Sequence, residues 1–190
     1  MVVDVQRDFC SGGALPVREG DEVVPRINRV VMAFERGRIP IFFTRDWHPR
    51  DHASFKGQGG VWPPHCIQES VGAEFHPALR IPIRSNIISK GNDSKTEAYS
   101  GFQGTDLEAR LKKLGVGRVF LCGLATDYCV KESAIDARHA GFAVDVIQDC
   151  IGAVDAKPGD GKKAISDMRK AGARITSSPT VIRKMAGTQQ

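Results

Sequence analysis

No stretch of this 190-residue chain approaches the ~18 consecutive apolar residues that a membrane-crossing helix needs. Its five cysteines are widely spaced and include no CxxC pair. An odd, scattered set of that kind excludes a disulfide scaffold and points to a reducing, cytoplasmic setting. The opening Met1-Val2-Val3-Asp4 has no basic n-region and meets an acid at position four, so no secretory leader is expected. Internal repeats, low-complexity tracts and linker-like stretches are absent too, which leaves a single domain over residues 1–190. What is there, 41% hydrophobic and 26% charged residues, is the composition of an ordinary globular chain.

A net charge of +5 raises the question of nucleic acid. The first 150 residues are balanced, and the whole excess falls in the last 40. Those basic residues carry no interleaved aromatics on which bases could stack, so a solvated helical face is the simpler reading and no nucleic-acid partner is expected.

Strand-like runs occur at Val2–Val5, Ile39–Thr44, Asn86–Ser89, Arg118–Cys122, Phe142–Ile147 and Ala173–Thr176. Helical periodicity occupies Asp21–Arg36, with Val24, Ile27, Val31 and Phe34 on one face, and also Asp106–Leu114, Asp127–Ala140 and Lys162–Ala171. Each helix stops at a glycine (Gly37, Gly115, Gly141, Gly172) suited to a left-handed cap. Alternation of this kind predicts an α/β fold with a parallel sheet. Arg45–Arg84 breaks the pattern. It has almost no periodicity, holds Trp47, Trp62 and four of the five histidines, and follows a strand at the edge where such sheets bind ligands.

Within that loop, Asp46 and His48 stand two apart on an extended segment and can reach one ion, with His65 as a third ligand from across the loop. Two imidazoles and a carboxylate suit a catalytic divalent metal. The competing reading is that Asp46 and Asp51 pair with neighbouring arginines while the histidines bond within the loop. His52 is a fourth ligand or an orienting neighbour; His76 and His139 have no such company. Elsewhere, Cys129 follows a strand and a small-residue turn and sits in the first turn of a helix, where free N–H groups and the helix dipole favour a thiolate. Cys122 and Cys150 read as small buried hydrophobes. Asp4, in an apolar run, is a candidate proton acceptor or a structural cap, and Lys90 a candidate cation beside the thiolate.

Taken together, VVDVQRDFCSGGALPV, TRDWHPRDHASF, WPPHC, AEFHPAL, SKGNDSKTEAYSGF and GLATDYCV resemble the nicotinamidase/pyrazinamidase family of isochorismatase-like cysteine hydrolases. They run in order from residue 2 to about residue 131, and DMRKAGARI is similar to the family's last helix and strand. The resemblance implies a six-stranded parallel sheet with helices on both faces, assembled as a homo-oligomer. It implies a triad of Asp4, Lys90 and Cys129, and an oxyanion hole from the Ala125 and Cys129 amides beside a cis Leu124–Ala125 bond. It implies a metal on Asp46, His48 and His65 with His52 left out of the ligand set, zinc being favoured over iron or manganese. It also implies an aromatic slot of Phe9, Trp62 and Tyr99 for a pyridine ring. The expected reaction is hydrolysis of nicotinamide, and of pyrazinamide, feeding NAD salvage. Two alternatives are a sister amidase acting on carbamoyl or ureido substrates and a non-enzymatic protein that binds nucleic acid through its basic end. Only three residues precede Asp4, so the first strand is expected to be short or to have lost residues at its start.

Overall fold

Six strands, all paired in parallel, frame the computed structural model, which describes residues 1–187. They are β1 (Val2–Val3), β2 (Phe42–Asp46), β3 (Asn86–Lys90), β4 (Arg118–Leu124), β5 (Ala143–Gly152) and β6 (Arg174–Thr176), in the order β3-β2-β1-β4-β5-β6. The chain steps outward from β1 to β3, then restarts at β4 on the other side of β1. The connections leaving β1 and β4 therefore diverge, and a crevice opens at their carboxyl ends.

Alternate side chains on the strands feed two cores. Val2, Phe43, Cys122 and Ile147 pack with Ile27 and Val31 of α1 (Val24–Arg36) and Val181 of α5 (Ser178–Gly187). Val3, Phe42, Leu121 and Val146 pack with Leu111 of α2 (Leu107–Lys113), Ala134 of α3 (Lys131–His139) and Met168 of α4 (Asp160–Lys170). The helices thus cover both faces, as near-continuous apolar strands require. Among the described residues no helix is long and apolar enough to cross a membrane. Lys162, Lys163, Arg169 and Lys170 of α4 are exposed while Met168 is buried, so half of the basic residues in the last 40 form the outer face of one amphipathic helix.

Several element boundaries differ from the sequence expectation, each for a local reason. β1 ends at Val3 because Asp4 adopts a left-handed φ of 47°. β2 begins later than Ile39, beyond Pro40, which has no N–H to donate, and it continues to Asp46. The helix expected at Asp127–Ala140 is two pieces, a wide π turn at Thr126–Val130 and then α3. Gly115, Gly141 and Gly172 do take positive φ, but Gly37 does not (φ −76°), and Arg38 makes the left-handed turn after α1 instead. α5 was not anticipated; Asp149 caps it, accepting from the Ser178 amide (2.7 Å) and hydroxyl (2.5 Å) from a position 29 residues away.

Candidate active site

Asp4, Lys90 and Cys129 meet at the crevice, one at the end of β1, one at the end of β3 and one in the π turn after β4. Asp4 and Lys90 are fully buried and Cys129 is 5% exposed. Thr44, the residue on β2 beside Asp4, donates its hydroxyl to Asp4 Oδ1 at 2.6 Å. Asp4 Oδ2 lies 2.9 Å from Lys90 Nζ, and a carboxylate oxygen of Asp4 lies within 4.8 Å of Cys129 Sγ. Lys90 also donates to the Ala98 carbonyl (3.1 Å) and to Asp46 Oδ1, and stands 3.5 Å from Cys129 Sγ. Burial opposes the charge on Lys90, yet the Asp4 and Asp46 carboxylates outweigh it and hold the ammonium protonated well above its ordinary range.

The resting state of Cys129 differs from the sequence expectation. Burial, joined by the nearby Asp4 and Asp46 carboxylates, pushes its thiol well above the usual cysteine value in spite of Lys90. Burial thus opposes the thiolate that Lys90 and the free N–H groups of the turn favour. Burial also raises Asp4, with Lys90 opposing, so the acceptor beside the thiol is more basic than an exposed aspartate. The Leu124–Ala125 bond is cis, and the Ala125 carbonyl accepts from the Tyr128 and Val130 amides at 3.1 Å each.

Asp46, His48 and His65 form the second cluster, all buried, with one donor atom from each within 4.8 Å of the others. Their fit to a cation rests on the far side of each ring. His48 Nδ1 lies 2.8 Å from the Gly91 carbonyl, and His65 Nδ1 lies 2.8 Å from the Pro63 carbonyl. A carbonyl can only accept, so in the neutral rings each Nδ1 carries the proton and each Nε2 the lone pair. His48 Nε2 points at Asp46 Oδ2, 3.7 Å away. Burial lowers the pKa of His65, whereas at His48 the Asp46 carboxylate outweighs burial and raises it. A proton on His48 Nε2 occupies the place a cation would take.

The remaining histidines divide clearly. His52 stacks on His48, with ring centroids 4.1 Å apart, but its Nε2 faces the Thr96 carbonyl (3.2 Å) and its Nδ1 is held by Ser54 (2.7 Å to Oγ). Both of its nitrogens are occupied. His76 pairs with Asp21 at 3.1 Å, and His139 is exposed. Cys122 and Cys150 are buried in the sheet, and burial pushes the Cys122 thiol up to about 11.

A narrow slot is lined by Phe9, Trp62, Tyr99 and Tyr128 together with His65 and Asp46 of one cluster and Cys129 of the other. Trp62 Nε1 donates to the Tyr99 hydroxyl at 2.9 Å, and Tyr128 packs edge-on against Trp62 at 5.1 Å. A roomier groove between Pro40, Ile83 and Leu114 lies toward the amino ends of β2 and β3 and holds no histidine or cysteine. Sequence reasoning missed several supports. Tyr128 was overlooked although it is adjacent to Cys129. Phe55 packs against His48 and His65 at 5.7 and 5.5 Å. Asp8 Oδ2 accepts the Cys66 amide at 2.7 Å and so holds the left-handed turn (φ 46°) that follows His65. Gly91 has φ 62°, and a Cβ there would sit 2.4 Å from His48 Cε1, so only glycine allows that ring its carbonyl.

An isochorismatase domain matches residues 1–180. Nicotinamidase of Escherichia coli (strain K12) is 36% identical, with 92% of each chain covered. The crystal structure of pyrazinamidase of Pyrococcus horikoshii in complex with zinc superposes with a TM-score of 0.89 at 46% identity, covering 93% of this chain and 96% of that one. PnC1 from L. infantum in complex with nicotinate gives a TM-score of 0.84 at 35% identity, covering 94% of this chain and 91% of that one. Matched from its first residue to residue 180 and superposing on these proteins over nearly its whole length, the chain belongs to the isochorismatase family.

Proposed function

We propose that this protein hydrolyses nicotinamide to nicotinate and ammonia, and pyrazinamide by the same route, as a metal-dependent cysteine amidase. The observation that carries this reading is the convergence of two sites on one aromatic slot: a buried acid, ammonium and thiol, and two imidazoles whose Nδ1 atoms face carbonyls, beside a carboxylate. Asp46, His48 and His65 would hold the divalent ion, zinc by preference, and it would supply a Lewis acid for the ring nitrogen and so orient the substrate.

The chain's own residues carry the chemistry. Asp4 Oδ2 takes the proton of Cys129 as Sγ attacks the amide carbon. Negative charge moves to the carbonyl oxygen, which the Ala125 and Cys129 amides receive. Asp4 returns the proton to the leaving nitrogen, ammonia departs, and a thioester remains. Asp4 then deprotonates a water that attacks the thioester, and Sγ recovers its proton from Asp4 as the acid leaves and ionises to nicotinate. Lys90 stays charged throughout and keeps two buried carboxylates from repelling one another. Trp62, Tyr99 and Tyr128 exclude water from the ring and fix its plane. A homo-oligomer belongs to the same reading and is checked by sedimentation velocity. The decisive experiment is ammonia release from nicotinamide by purified protein, with metal analysis on the same sample. Release that falls on chelation and returns with zinc supports the proposal, and a metal-replete sample that releases no ammonia overturns it.

A further inference from the structure

Gln6 has no part in the chemistry described above, yet it is fully buried and its amide is completely used. Its Oε1 accepts the Asp46 N–H at 2.8 Å, while its Nε2 donates to the Asp46 carbonyl at 2.8 Å and the Ala73 carbonyl at 2.9 Å. One side chain therefore grips both peptide groups of a single residue. The place explains the need. β2 pairs with β3 out to Asp46↔Lys90, but its other neighbour, β1, ends at Val3 because Asp4 turns left-handed. The last backbone contact from that side is the Asp4 amide on the Thr44 carbonyl at 3.2 Å, two residues short of Asp46. Without Gln6 the N–H and C=O of Asp46 would be buried and unpaired, which a folded chain avoids. The side-chain amide takes the place of the missing strand.

We infer that Gln6 is a positioning residue for the metal site: it fixes the backbone of Asp46 so that Oδ1 meets Lys90 and Oδ2 is turned to His48 and the ion. This rests on the metal-site reading of Asp46, His48 and His65. Asp46 is the one side chain shared by the two clusters, since Lys90 also holds Asp4 and stands beside Cys129. A shift of its backbone is felt first at the ion, because Lys90 keeps two other partners, Asp4 and the Ala98 carbonyl.

Two variants test this. Gln6→Glu keeps the shape but sets a carboxylate oxygen against the carbonyls of Asp46 and Ala73. Gln6→Met keeps approximate size and removes every hydrogen bond. A control exists in Asn28, whose amide makes a similar backbone clamp far from the site, donating to the Ala78 carbonyl and accepting from the Arg80 amide at 2.8 Å each. Zinc affinity is measured by competition with a chromophoric chelator at a temperature well below each melting point. Iodoacetamide labelling of Cys129 is followed on the same samples. The expected result is a ~10–100-fold loss of zinc affinity in both Gln6 variants, the range typical of groups that orient ligands. Labelling should stay within about 2-fold, and Asn28→Asp should leave zinc affinity unchanged. Zinc affinity within about 2-fold of wild type in a folded Gln6 variant overturns the inference. So does failure of both Gln6 variants to fold, or an equal loss in Asn28→Asp. If the wild type itself neither retains zinc nor hydrolyses nicotinamide, the functional reading has failed, and that is seen before any variant is made.

Discussion

Among the described residues, two clusters of a carboxylate with metal-capable neighbours are backed in opposite ways. Asp46, His48 and His65 lie at the crevice; Cys10, Asp21 and His76 lie under the N-terminal segment, also with donor atoms within 4.8 Å of each other. The difference is the partner of the far ring nitrogen. His48 and His65 each turn Nδ1 to a carbonyl, which leaves Nε2 free. His76 Nδ1 instead accepts from the Ala78 amide at 3.2 Å, so its proton sits on Nε2 and is given to Asp21. Asp21 is further engaged by the amide (2.9 Å) and hydroxyl (2.5 Å) of Ser11, and burial together with Asp21 pushes the Cys10 thiol up to about 12. A set of ligand types is thus a metal site only where the groups behind it leave lone pairs pointing inward.

The comparison is sharpest at the two cysteines. Cys129→Ala is expected to lower amide hydrolysis by more than ~10³-fold, since it removes the nucleophile, while Cys10→Ala stays within about 3-fold; steady-state ammonia release measures both. Equal losses would break the contrast. The histidines come next. His48→Ala is expected to lose bound metal and ~10²-fold in turnover through misplacement of the ring, with Cys129 still labelled by iodoacetamide at close to the wild-type rate. His76→Ala should keep the wild-type metal content. Metal loss from His76→Ala would move the ion to the other cluster. Collapse of labelling together with turnover in His48→Ala would mean that the metal side also shapes the nucleophile.

The smallest effect lies at Asp21. Hydrogen bonds from Ser11, and then from His76, hold its carboxyl below the ordinary aspartate range. A depressed folded-state pKa stabilises at pH values above the unfolded value of about 3.9, and that contribution is lost as pH falls through the folded value. Its side chain is 37% exposed, so solvent screening keeps the gain small. Asp21→Asn should lower the melting temperature by about 2–4 °C at pH 7, and the gap should narrow below pH ~4. A gap independent of pH would assign the loss to packing instead.

Much of this was open to reading before any coordinates. Six short apolar runs separated by amphipathic segments specify a parallel sheet with both faces covered, and all six strands lie within a few residues of their expected places. The loop after β2 stood out because it lacks periodicity where a helix was due. Elements built by distant partners were less readable. α5 is capped by Asp149, 29 residues away in β5, and packs against α1 through a short apolar face of Val181, Ile182 and Met185, so its cap partner leaves no mark in its own ten residues. β1 is cut short by the backbone of Asp4, whose left-handed turn nothing in VVDVQ announces.

By itself the sequence determined the class of fold, the edge of the sheet that carries chemistry, and the residue types gathered there, because periodicity and strand-to-loop order are local properties of the chain. Tertiary structure decided which of those residues can act. The carbonyl that sets the tautomer of His48 belongs to Gly91, 43 positions away. The upward push on the Cys129 thiol comes from burial and from the carboxylates of Asp4, just past β1, and Asp46, at the end of β2. The backbone of Asp46 is held by an amide 40 positions earlier. Lone-pair direction, desolvation and the sharing of one ammonium among several partners arise only when separate strands end at the same place, and no local pattern encodes them.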